Sequence, residues 1–95
     1  MILTEKQKET LSYALNRYGF DKQCDVAIEE MAELTKAIIK YRRYGEFHEY
    51  SDICEEVADV IIMAEQIVMS VGEEVVAEYI DRKIKRLYDK MGENL

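Results

Sequence analysis

Ile28-Glu29-Glu30-Met31-Ala32-Glu33 sets three carboxylates inside an apolar helical pattern, and Glu55-Glu56-Val57-Ala58-Asp59 repeats the arrangement further on. On a helix, residues three apart share a face, so Glu30 lies beside Glu33 and Glu56 beside Asp59. Two such helices packed antiparallel would bring four carboxylates into one cluster. Like charges at that range repel unless a positive charge sits between them. The ordinary occupant of an all-oxygen cluster is a hard divalent cation, Mg²⁺ above all.

Working outward, the acidic helix is expected over Asp21 to Tyr44. Its core stripe is Ala27, Met31, Leu34, Ile38 and Tyr41, with Glu30 on the border and Glu33 and Glu29 further round. Ile28, Ala32 and Ile39 on the other flank are also expected to be buried. A helix apolar on two sides needs two partners, and a second subunit is one candidate. The next helix, from Ser51 or Asp52 to Val71, is apolar nearly all round beyond Glu56, which marks the buried centre of the fold. Asp52 and Glu55 read as its capping box. Gly45 to Ser51, with the only histidine, His48, is a loop.

The first helix is expected from Thr4 to Tyr18, opened by a Thr4/Gln7 capping box. The last runs from Glu73 to Met91, with a stripe of Val76, Ile80, Ile84, Leu87 and Met91. Lys83, Arg86 and Lys90 flank that stripe beside Tyr79. The four glycines, at 19, 45, 72 and 92, fall where helical patterns stop.

Composition agrees with one all-α domain over residues 1–95, a four-helix bundle completed by oligomerisation. Of the 95 residues, 48% are apolar and 35% charged, with no proline. A net charge of −7 argues against binding a nucleic-acid backbone. A nucleotide ligand remains open, because a bound metal inverts local charge. Cys24 and Cys54 form no CxxC pair, which fits reduced cytoplasmic thiols and no zinc site. No run spans a membrane: Asp59 and Glu65 interrupt the longest apolar stretch. Met1-Ile2-Leu3 leads straight into a polar helix, so no signal peptide is expected.

Glu56 and Asp59 have a plainer reading, a buried salt bridge to Lys83 or Arg86. Such bridges stabilise weakly, because desolvation offsets the attraction. Two carboxylates one turn apart on the most buried helix therefore point to function. A ferritin-like di-metal site would require Glu-x-x-His pairs, and neither motif has a histidine.

Glu29-Glu30-x-x-Glu33, then 22 residues, then Glu56-x-x-Asp59, resembles the EExxE…ExxD signature of the MazG-type all-α nucleoside triphosphate pyrophosphohydrolases. The likeness covers roughly Gln23 to Met91. It implies a Mg²⁺-dependent cut of a nucleoside triphosphate, often a non-standard or damaged one, to monophosphate and pyrophosphate. It makes Glu30, Glu33, Glu56 and Asp59 the metal ligands and Glu29 an outer residue that orients water. Lys83 and Arg86 would neutralise phosphates, and Gln23 would hydrogen-bond a base. Tyr41, Tyr44 and Tyr79 are candidates to stack on it. The chain departs from the pattern in having no Trp, no basic residue just before ExxD, where Asp52 and Glu55 stand, and a loosely matching C-terminal basic motif. The competing expectation is a non-catalytic helical dimer that serves as an interaction module.

Overall fold

Thr4 opens the first helix as its spacing predicts. Its hydroxyl accepts from the Gln7 amide at 3.1 Å, and the Gln7 side-chain oxygen accepts from the Thr4 amide at 2.9 Å. Two of the helix's orphan donors are thereby satisfied. The computed structural model describes residues 2–45 and 50–93, which form four helices preceded by residues 2–4. These are α1 (Glu5–Tyr18), α2 (Phe20–Tyr44), α3 (Tyr50–Val71) and α4 (Glu73–Glu93). No strand occurs among the described residues.

Three boundaries differ from the sequence pattern. Helix α2 starts at Phe20 with Gly19 as its cap, so Asp21 sits in the first turn and not at the cap. Helix α3 starts at Tyr50, which likewise places Asp52 inside the first turn. Helix α4 continues through Gly92, because one glycine costs a helix only about 1 kcal/mol. The loop expectation falls mostly on residues 46–49, including His48, which lie outside the described residues.

Gly19 alone joins α1 to α2, and Gly72 alone joins α3 to α4. Gly19 (φ +87°) and Gly72 (φ +115°) hold backbone conformations that a Cβ would strain. Each is bonded on both sides: the Gly72 N–H donates to Val68 O at 2.9 Å, and its carbonyl accepts from Val76 N at 3.2 Å. A flat helical hairpin takes a loop of about 2–5 residues. A one-residue joint makes a corner instead, so α4 leaves α3 at an angle.

Helices α2 and α3 form the principal pair, and α1 packs on both. Helix α3 touches all three others, which fits its nearly all-round apolar pattern. Ala27 and Met63 are buried between the elements, together with Gln23 and Gln66. Helix α4 packs against neither α1 nor α2 among the described residues. Its stripe stays open: Ile80, Ile84, Leu87 and Met91 are all about half exposed. Ile28, Ala32 and Ile39 are exposed in the single chain as well, so the burial expected of them is not supplied by any described element of the same chain. The radius of gyration is 16.2 Å, against roughly 12 Å for a compact chain of this length.

Candidate metal centre

Successive pairs lock the register of α2 against α3. At one end, Gln23 Nε2 donates to Gln66 Oε1 at 2.8 Å. Seven residues on along α2 and seven back along α3, Glu30 meets Asp59. Near the turn, the Tyr41 hydroxyl donates to that of Tyr50 at 2.8 Å, with ring centroids 4.9 Å apart. A shift by one residue would break all three pairings together, so the carboxylates are held from both sides.

One oxygen each from Glu30, Glu56 and Asp59 lies within 4.8 Å of the other two, and all three side chains are half-buried. Partial burial pushes the Glu30 carboxyl above its usual range; Asp59 adds to this through charge and a hydrogen bond, and Glu56 and Glu33 add further repulsion. Glu56 is raised in the same way, first by partial burial, then by Asp59, Glu33, Glu55 and Asp52. No ion pair joins Glu56 or Asp59 to Lys83 or Arg86. Among the described residues of the single chain, the salt-bridge alternative is therefore not seen.

Sequence spacing grouped four carboxylates. The structure brings three together and leaves Glu33 exposed at the margin, close enough to repel Glu30 and Glu56. Glu29 is exposed and outside the cluster. Gln23 is 7% exposed, with its amide donated to Gln66, two turns below Glu30. Lys83 and Arg86 lie with Tyr79 and Arg82 along the outside of α4, where the Arg82 guanidinium sits 5.4 Å above the Tyr79 ring. Within one chain they line a different surface from the one that Glu33 and Glu56 line, and α4 makes no contact with α2 among the described residues. Compared with known proteins, the chain matches no family model, no curated protein and no solved structure.

Two features escaped the sequence reading. The sequence pattern singled out no role for Gln66, and only packing reveals it as the partner of Gln23. Nor did it single out Lys36 and Lys40, which line a cleft with Glu33, Asp52 and Glu56. Their i+3 and i+7 offsets from Glu33 were the available signal.

The donor set fits a hard cation. Three carboxylate oxygens at this spacing, already repelling one another, match the preference of Mg²⁺ for oxygen ligands. Among the described residues the group holds carboxylate oxygens alone, a donor set that suits a hard ion better than softer metals.

Proposed function

We propose that the protein is a Mg²⁺-dependent nucleoside triphosphate pyrophosphohydrolase of the MazG type. The observation that carries this reading is the convergence of Glu30, Glu56 and Asp59 from two separate motifs onto one half-buried spot. Neither stability nor solubility explains three unpaired carboxylates there, since a packed apolar trio would serve the α2–α3 contact better. These residues would hold the ion, with Glu33 at its edge and Glu29 outside it. Mg²⁺ bound there supplies charge neutralisation on the phosphates as pyrophosphate leaves. The chain's own part is to fix the carboxylates on two rigid helices, where their mutual repulsion favours binding of a cation that would hold them deprotonated. Attack by water suits the site, because neither motif offers a serine or cysteine beside a histidine. The substrate class, including ordinary, deoxy and damaged triphosphates, fits a nucleotide-pool housekeeping role in the cytoplasm.

Assembly belongs to the same reading. The chain exposes 7927 Å², against roughly 5,700 Å² for a compact monomer of this mass. The difference matches what an obligate interface removes from each partner. The two open apolar faces, Ile28–Ile39 on α2 and Ile80–Met91 on α4, supply it. We therefore take the working form to be a homodimer or a homotetramer.

The test is phosphate release from a panel of ordinary, deoxy and oxidised nucleoside triphosphates, with and without inorganic pyrophosphatase. Mg²⁺-dependent release seen only with pyrophosphatase is the expected result. Release without it would mean cleavage at another bond. The open face of α4 favours one alternative, a non-catalytic helical dimer. That form would hydrolyse nothing, and its melting temperature would respond to Mg²⁺ only as to ionic strength.

A further inference from the structure

The α2–α3 groove does not end at the clustered carboxylates. Toward the Tyr41–Tyr50 pair it continues as a cleft of about 120 Å³ lined by Glu33, Lys36, Ala37, Lys40, Asp52 and Glu56. The α2 wall therefore carries two lysines beyond Glu33, and the α3 wall is anionic. Lys36 follows Glu33 by one turn, and Lys40 follows Lys36 by another, so both ammonium groups rise from the rigid helix that carries Glu30. Among the described residues neither forms an ion pair, although Asp52 and Glu56 line the same cleft. Both lysines also border the exposed outer face of α2 with Ile39 and Arg43, which leaves them room to swing.

A groove of carboxylates alone would repel a polyphosphate. One divalent cation leaves a triphosphate still negative, so further positive charge is required along its path. Lys83 and Arg86 do not provide it within the chain, because neither lines this cleft; they line a separate surface with Tyr79 and Arg82. We propose that Lys36 and Lys40 bind the phosphate oxygens that the cation does not reach. This assignment rests on the nucleotide reading above. It places the polyphosphate along the cleft, from the Glu30–Glu56–Asp59 cluster toward the tyrosine pair. It also explains how the chain manages without a basic residue just before the ExxD motif: the charge comes from the facing helix.

The experiment is calorimetric titration of the full chain with inorganic triphosphate in the presence of Mg²⁺, and separately with Mg²⁺ alone. Inorganic triphosphate removes base preference from the question. Lys36→Met and Lys40→Met should each weaken triphosphate binding by roughly 5- to 10-fold, as expected for partly exposed charge pairs, and the double variant by more. Binding of Mg²⁺ alone should stay the same or tighten, because a cation next to the site has been removed. A merely structural role would not weaken triphosphate binding while sparing Mg²⁺ binding. If the double variant binds triphosphate like the wild type while Lys83→Met/Arg86→Met loses it, the assignment is overturned and the nucleotide reading stands. A wild-type chain that binds neither Mg²⁺ nor triphosphate overturns both.

Discussion

Helices α3 and α4 are neighbours in sequence, similar in length and both amphipathic, yet their fates differ. Helix α3 meets three partners and sets its polar side chains against matched ones on α2: Gln66 on Gln23, Asp59 on Glu30, Tyr50 on Tyr41. Helix α4 leaves at the Gly72 corner and keeps its apolar stripe in the open. Within one chain, the first helix is committed to a register and the second is not. The contrast separates what the monomer completes, an acidic groove, from what it leaves to another surface, the far side of α2 and all of α4.

The sharpest way to break the comparison is at the groove. Glu56→Gln keeps the side-chain volume and removes one charge. Without metal it should leave the fold as stable or slightly more so, because it relieves repulsion from Asp59 and Glu33. Mg²⁺-dependent triphosphate hydrolysis should fall by orders of magnitude, with Asp59→Asn behaving alike and Glu65→Gln nearly silent. Wild-type rates in Glu56→Gln would remove the site. Collapse of the metal-free protein would recast the residue as structural.

Next comes α4. At micromolar concentration, sedimentation should find a dimer or larger species. Ile80→Asp with Ile84→Asp should weaken association by more than ~100-fold, because each isoleucine buried at an interface contributes about 1.5–3 kcal/mol. A stable, folded wild-type monomer would count against the idea that α4 awaits a partner chain.

The register pin gives a smaller effect. Gln66 is 2% exposed, so Gln23→Leu leaves its side-chain oxygen buried without that donor. The expected loss is about 1–3 kcal/mol, or a drop of several degrees in Tm. Gln23→Leu/Gln66→Leu should recover part of it, since apolar replacement of both partners removes the unmet group. If the single variant melts like the wild type and shifts only base preference, Gln23 serves substrate and not register.

The smallest effect is with pH. Glu30 and Glu56 hold their protons more tightly in the folded chain than in the unfolded one, chiefly through partial burial, then through neighbouring carboxylates. The folded state binds more protons, so their contribution is present at low pH and is lost as pH rises through the raised values. Without metal, the melting temperature of the wild type relative to Glu56→Gln should therefore decline from about pH 4 toward neutrality. A flat difference would mean the carboxylates do not feel one another.

Helix number, type and most boundaries were legible because each rests on local chemistry: the Thr4 capping box, glycine stops at 19, 45 and 72, and apolar periodicity. The two half-motifs were legible for the same reason, since i, i+3 spacing fixes which side chains share a face. Glu30 reaching Asp59, with Glu33 left at the margin, depended on the angle and register at which α2 meets α3, and Gln23–Gln66 and Tyr41–Tyr50 fix that register from opposite ends. The exposure of Ile28 and Ile39 depended on which neighbours exist, which periodicity does not encode. So the sequence by itself determined the helices and their faces, because propensity and spacing act within a few residues. The tertiary structure decided which faces meet, because a one-residue corner at Gly72 and a polar ladder between α2 and α3 act between residues far apart in the chain.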